Sequence, residues 1–157
     1  MDSAIRTTRY QSKYLSDFIE LNRQWITTYF AIEAMDIAQL EDAQKIILDV
    51  GGEIFFVLED QRVLGTCAMV PHGPGCYELA KMAVHPAARG RGLGDVLMQL
   101  CISWARGKTA ESIILLSNTI LEPAIALYHK HGFQTTHLGP HPDYARCNIQ
   151  MELILNR

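Results

Sequence analysis

The sequence predicts a mixed α/β (α+β) fold, one mainly antiparallel sheet with helices on both faces, and three observations predict it. The hydrophobic period switches between that of helix and that of strand in the order β-α-α-β-β-β-α-β-α-β-β. A length of 157 residues suits one compact domain, taken as 1–157, and no repeat, low-complexity tract or linker divides it. Hydrophobic residues at 48% against charged residues at 20% provide a sizeable core and exclude wholesale disorder.

Ala4 to Tyr10 reads as the first strand. From Leu15, the apolar residues Leu15, Phe18, Ile19, Trp25, Ile26 and Tyr29 fall on one helical stripe, with Asn22 as its polar break. A less regular second helix covers Asp36 to Val50 and stops at Gly51-Gly52. The period then shortens. Glu53 to Glu59 is a short apolar strand, Asp60-Gln61-Arg62 a turn, and Val63 to Val70 a second strand interrupted by Gly65. Pro71 to Gly75 is a turn cluster, and Cys76 to Val84 a third strand closed by His85-Pro86. Leu93, Val96, Leu97, Leu100, Cys101 and Trp104 make the cleanest helical stripe in the chain. Ser112 to Leu116 is a continuous β-branched and Leu run, as in a strand buried on both faces. Pro123 to His131 predicts a short helix, with Pro near its start and Gly132 just past its end. Phe133 to Leu138 and Arg146 to Leu155 are the last strands, separated by a Gly/Pro/His loop.

Composition excludes several classes of function. Fourteen Lys+Arg against seventeen Asp+Glu give a net charge of -3, so no nucleic-acid partner held by phosphate neutralisation is expected. The longest apolar runs, Ile54 to Leu58 and Ile113 to Leu116, are far too short for a bilayer span. Met1 to Thr7 contains no apolar signal-peptide core. The expectation is a soluble cytoplasmic protein with no membrane partner. Cys67, Cys76, Cys101 and Cys147 form no C-x-x-C pair and read as buried free thiols. His137 and His141 lie in a Gly/Pro loop with no third ligand nearby in sequence, and His129 and His131 point to different helix faces, so no metal is expected.

The chemistry concentrates in Val84-His85-Pro86-Ala87-Ala88-Arg89-Gly90-Arg91-Gly92-Leu93-Gly94. Three glycines alternate where extended chain becomes helix. The amides of Arg89 to Gly94 can curl into a nest of donors, with the positive end of the helix behind them. Missing side chains at Gly92 and Gly94 let a phosphate approach the backbone, and Arg89 and Arg91 add charge at the rim. A diphosphate suits such a site. A Rossmann turn would need its third glycine at Asp95, whose carboxylate repels phosphate, and the G-K-[ST] ending of a Walker A loop is missing. The bland alternative is a turn that simply needs flexible residues.

Arg89-x-x-Gly92-x-Gly94, behind a strand ending Ala83-Val84-His85-Pro86, resembles the pyrophosphate-binding motif of the GNAT superfamily of acetyl-CoA-dependent N-acetyltransferases. Ala124-Ile125-Ala126-Leu127-Tyr128-His129-Lys130-His131-Gly132-Phe133 resembles its second hallmark, a short helix ending in A-x-x-L-Y-x-K-x-G-F. The resemblance spans most of the chain, strongest from Glu78 to Phe133 and weak before Glu53. It implies acetyl-CoA as cosubstrate and two central strands that splay around the pantetheine arm. Met82, Ala83 and Val84 would pair with that arm through their main chain, while Arg89, Gly90, Arg91, Gly92, Leu93 and Gly94 hold the diphosphate.

The resemblance also implies roles at the reacting centre. Tyr128 falls where many members place a tyrosine beside the coenzyme sulfur, as the acid for the leaving thiolate; the alternative is a ring packed on the helix's apolar face. Glu78 stands eleven residues before Arg89, where the histone-acetylating branch carries its catalytic glutamate. Between apolar neighbours its carboxylate would be desolvated and more basic, acting on the amine directly or through a water. The alternative is a strand-edge glutamate facing solvent. Leu121 departs from the pattern, because the second hallmark often has Asn there. Asn118 then either reaches the pantetheine arm or, like Ser117, caps the next turn. Acceptors would enter over Tyr29 to Asp36 and His137 to Tyr144, where Tyr29, Glu33, Asp36 and Tyr144, with Asp143, suit a cationic amine. Either a small molecule or a peptide can bring that amine, and a homodimer is a family-level expectation.

The leading expectation is therefore transfer of an acetyl group to a primary amine by direct attack in a ternary complex. A non-catalytic acyl-CoA sensor on the same fold, and a generic nucleotide-binding module, use the same loop. The first turns over no thioester, and the second binds ATP or NAD as well as coenzyme A.

Overall fold

Alternation within the central strands decides which helix covers which face. In the computed structural model, which describes residues 4–155, strand β1 spans Ile5–Arg9, β2 Glu53–Glu59, β3 Arg62–Pro71 and β4 Cys76–Val84. Strands β5 (Ser112–Ser117), β6 (Gln134–Leu138) and β7 (Ile149–Ile154) complete one seven-stranded sheet of order β1-β2-β3-β4-β5-β7-β6. Only β4 and β5 run parallel; every other pairing is antiparallel. Helices α1 (Leu15–Tyr29) and α2 (Ala34–Glu41) precede β2, α3 (Leu93–Gly107) joins β4 to β5, and α4 (Glu122–Lys130) joins β5 to β6. The order and the mixed sheet match the expectation from sequence. Residues 1–3 and 156–157 of the domain drawn above lie outside the described residues.

Ile54, Phe56 and Leu58 of β2 enter one core with Phe18, Leu21, Leu40 and Ile47. Their alternates Phe55 and Val57 enter the other with Leu97, Met98, Cys101 and Trp104 of α3. Complete burial of a ring such as Phe56 contributes roughly 1.5–3 kcal/mol, so each face holds its helices firmly. Among the described residues, no helix is long and apolar enough to cross a membrane.

Three differences from the sequence reading matter. The second helix begins earlier and is shorter than Asp36–Val50. Glu33 caps it and Asp36 closes a reciprocal capping box from the third helical position, so Asp36 lies inside the first turn. Asp42 leaves helical geometry, and a single wide turn over Gln44–Leu48 follows, with Asp49 N–H donating to the Gln44 carbonyl at 2.8 Å. The last strand begins at Ile149 rather than Arg146, which leaves Arg146 in the loop after β6.

The third difference is a bulge in β4. Ala80 faces Ala68 of β3, but Ala83 faces Thr66, so β4 spends one residue more than its partner. Lys81 absorbs this with a φ of 56°. The bulge reverses the strand's phase: Leu79 packs in the α3 core, whereas Ala83, four residues on, packs in the α1 core.

Candidate active site

The parallel ladder between β4 and β5 is short. It pairs Cys76 with Ser112, Tyr77 with Ile113 and Glu78 with Ile114, and pairing stops there although both strands continue. The gap beyond Glu78 is a cavity of about 330 Å³ lined by Glu78 to Val84 on one side and Leu116, Ser117 and Asn118 on the other. Pro123, Ala124 and Tyr128 of α4 line it too, as do Trp25, Tyr29 and Phe30, and Tyr144, Arg146 and Cys147.

Glu78 and Tyr128 reach this cavity from opposite faces of the sheet. Tyr77 and Leu79 pack toward α3, so Glu78 between them faces α1. Tyr128 belongs to the α3 core and is 9% exposed, its ring 6.1 Å from that of Phe133. Burial pushes the Glu78 carboxyl above the usual range, and the positive charge of Lys81, with His72 and His141, only partly offsets it. Burial also raises the Tyr128 phenol, which stays protonated and able to donate. One partly desolvated carboxyl and one protonated phenol thus line a single cleft, the pairing that general base and general acid chemistry requires.

Arg89 lines the same cavity, and the glycine turn follows it. Gly90 and Gly92 have φ of 80° and 75°, a region that L side chains avoid, and nothing lies within 4 Å of a Cβ built on either. That open surface suits close approach of an anion. The first bond of α3 runs from Val96 N–H to the Gly92 carbonyl, so the amides of Leu93, Gly94 and Asp95 precede the helical ladder. The Leu93 side chain is core, leaving only its main chain for a ligand. Gly94 serves packing, because a Cβ there would stand 3.0 Å from Leu127 of α4. Arg91 forms a two-pronged ion pair with Glu59, at 2.6 and 3.3 Å. Asp95 pairs with Lys130 and His131 at 2.9 and 2.8 Å, which blunts its charge beside the turn.

The acceptor-side residues are deployed differently from the sequence expectation. Asp36 does not face the cavity as a free carboxylate. It is fully buried, bonded to Lys81 at 2.8 Å and to both terminal nitrogens of Arg146. Glu33 accepts from the Ala145 amide at 3.0 Å and from Arg146 at 3.4 Å. Both carboxylates therefore tie α2 to the β4 bulge and to the loop after β6. Burial alone would raise the Asp36 carboxyl, but the Arg146 and Lys81 interactions outweigh it and lower it to about 2. Tyr29 and Tyr144 do line the cavity. Asn118 lines it as well, but its amide donates to the Arg146 carbonyl at 2.7 Å and accepts from Ile120 N–H at 3.0 Å, the turn-capping alternative.

Sequence reasoning missed Lys81, Arg146, Trp25 and Cys147. Lys81 carried a readable signal, a lone charge inside the apolar run Leu79 to Val84. Arg146 carried none. Cys147 is buried with its thiol pushed up to about 11, so it stays protonated at neutral pH. Among the described residues, no cluster of three His, Cys, Asp or Glu is placed to hold a metal ion.

The ion cluster yields a stability prediction. Asp36→Ala leaves Lys81 a buried cation without its carboxylate and Arg146 with Glu33 alone, and should lower the unfolding free energy by about 3–5 kcal/mol. Urea denaturation reads this, and an unshifted midpoint would refute it. Because the folded carboxyl lies below its unfolded value of 3.8, the cluster's contribution is complete above about pH 4 and is lost as pH falls toward 2.

Residues 16–133 match the family model for the acetyltransferase (GNAT) family. The chain is 32% identical over 95 residues to mycothiol acetyltransferase of Corynebacterium glutamicum (strain R), a match covering 60% of this chain and 32% of that protein. It is 33% identical over 104 residues to an uncharacterized N-acetyltransferase of Schizosaccharomyces pombe, covering 62% and 64% respectively. The chain thus spans from about a third to just under two thirds of the length of these curated relatives. Among solved structures, a GNAT-family acetyltransferase from Staphylococcus aureus Mu50 has a TM-score of 0.87 at 22% identity, covering 97% of this chain and 99% of that one. The yncA protein of Salmonella typhimurium, solved with its cofactor acetyl-CoA, has a TM-score of 0.78 at 19% identity, covering 99% and 96%. At these identities the structural likenesses establish the fold.

Proposed function

The chain belongs to the acetyltransferase (GNAT) family, and from that premise we propose that it transfers an acetyl group from acetyl-CoA to a primary amine by direct attack in a ternary complex. The observation that carries this reading is the meeting of Glu78 and Tyr128, from opposite faces of the sheet, in one cleft that opens where the β4–β5 ladder ends.

The residues present fit the coenzyme. The unobstructed, left-handed turn at Gly90 and Gly92, the leading amides of α3 and the Arg89 side chain suit a diphosphate. Met82, Ala83 and Val84 line the cleft with the backbone of a strand that has left its neighbour, which suits main-chain pairing with an extended pantetheine arm. When bound, acetyl-CoA supplies an activated acyl carbon and a sulfur leaving group, so an N–C bond forms as the C–S bond breaks.

The remaining work is proton traffic by the chain. An alkylammonium with a pKa of about 10.4 must lose a proton before its nitrogen is nucleophilic, and Glu78, made more basic by burial, accepts it. Tyr128 holds a phenolic proton for the departing sulfur, and burial keeps that proton in place until it is needed. Tyr128→Phe should therefore lower kcat about tenfold to a hundredfold while acetyl-CoA affinity stays within about twofold. An unaltered turnover number would remove Tyr128 as the acid.

The direct test is thiol release from acetyl-CoA against amino acids, polyamines, aminoglycosides, aromatic monoamines and basic peptides, alongside calorimetric titration of the coenzyme. Binding with amine-dependent thiol release supports the reading. Binding without turnover on any acceptor would favour the acyl-CoA sensor, and equal binding of ATP would favour a general nucleotide module.

A further inference from the structure

Charge is distributed unevenly around the cleft. Among the described residues that line it, Glu78 brings the one carboxylate, whereas Lys81, Arg89 and Arg146 bring cations. Of the acidic residues that the sequence places on the acceptor side, Glu33 and Asp36 are spent on Arg146, Lys81 and the Ala145 amide, and Asp143 is exposed and outside the cleft lining. Lys81 and Arg146 are themselves held in place, with side chains 4% and 11% exposed. Two carboxylates against two cations leave that cluster neutral, so a second positive charge on an acceptor whose amine reaches Glu78 would lose its hydration beside it with no free carboxylate among the described lining residues to receive it.

The wall around that charge pattern is aromatic. Trp25, Tyr29, Phe30 and Tyr144 line the cleft on the side that Glu78 faces. An aromatic cage for a cation is the obvious other use of such rings. Here, however, the Arg146 guanidinium already lies over two of them, 5.9 Å from the Trp25 centroid and 5.3 Å from that of Tyr144. Trp25 is further fixed by its indole N–H, which donates to Asn22 at 3.0 Å. What this wall offers a ligand is ring area and the edge of a stacked guanidinium, both of which favour a flat apolar group.

Resting on the acetyl-transfer reading above, we infer that the acceptor is a monoamine carrying an aromatic or other flat apolar group close to its amine, and that amines with a second positive charge are discriminated against. This replaces the sequence-based picture of an acidic clamp. It also divides labour within the cleft, with Glu78 taking the proton, the neutral Lys81–Asp36–Arg146–Glu33 cluster offering a second cation no counter-ion, and the rings orienting the substituent.

The test is kcat/KM, read by thiol release, for 2-phenylethylamine and tryptamine against spermidine and a lysine-rich peptide, with the wild-type protein and two variants. The aromatic monoamines should exceed the polycations by at least about tenfold. Tyr29→Ala and Tyr144→Ala should each raise KM for the aromatic amine by about tenfold, the equivalent of losing one ring contact, with acetyl-CoA affinity unchanged. Tyr29 is 49% exposed, so its variant folds even if the Tyr144 loop is disturbed. Spermidine or the peptide matching the aromatic amines, or both variants leaving KM untouched, overturns this inference while acetyl transfer stands. Coenzyme binding with no thiol release on any amine overturns both.

Discussion

Glu78→Gln lowers kcat by about 10²- to 10⁴-fold and leaves acetyl-CoA affinity near that of the wild type. Gln keeps the shape and hydrogen-bonding reach of the side chain and loses only its basicity, so packing around β4 has no reason to change. The pH profile makes the test specific. In the wild type the rate should rise as Glu78 loses its proton, and because burial raises that carboxyl, the rise should lie above the ordinary carboxylate range. The variant should lack this limb and follow the ionisation of the amine alone. A wild-type pH–rate profile in Glu78→Gln would move the base elsewhere.

Gly92→Asp weakens acetyl-CoA binding by at least about a hundredfold, a loss of some 2.7 kcal/mol. Two effects act together. At φ 75° an L residue is strained by roughly 1–2 kcal/mol, which pulls the turn away from its present shape. The new carboxylate also stands at the leading amides of α3, where the diphosphate would bind, and repels it. Because nothing lies within 4 Å of a Cβ at this position, the core is untouched and the variant should keep its wild-type circular dichroism. Gly94→Asp is a poorer probe, since its side chain would collide with Leu127 and mix packing loss with charge. Unchanged affinity by calorimetry in the folded Gly92 variant would dissociate this turn from the coenzyme.

How far such experiments can be designed from sequence differs across the cleft. The coenzyme side is local. A glycine turn, the helix it starts and the short helix between Pro123 and Gly132 are fixed by residues within a dozen positions of one another, so their conformational demands are written consecutively. The resemblance points to Tyr128 and Glu78 for a related reason, each standing at a fixed offset from such a local motif, and both line the cleft. The acceptor side is not local. Asp36 meets Lys81 across 45 positions and Arg146 across 110; the apolar run around Lys81 hints at its burial, but nothing near any of the three names its partners. A free acidic loop was the natural reading of Glu33 and Asp36, and the structure spends both on internal pairs.

By itself the sequence determined the order of elements, the two-faced core and the glycine turn that starts α3, because backbone preference and hydrophobic period act over one or two turns of chain. Only the tertiary structure decided where the β4–β5 ladder ends, that Lys81 takes up a bulge, and that Glu78 lines the cleft beside an internally paired ion cluster. Those outcomes depend on which distant side chains share a volume without water, where an ion must find its counter-ion or not be buried at all.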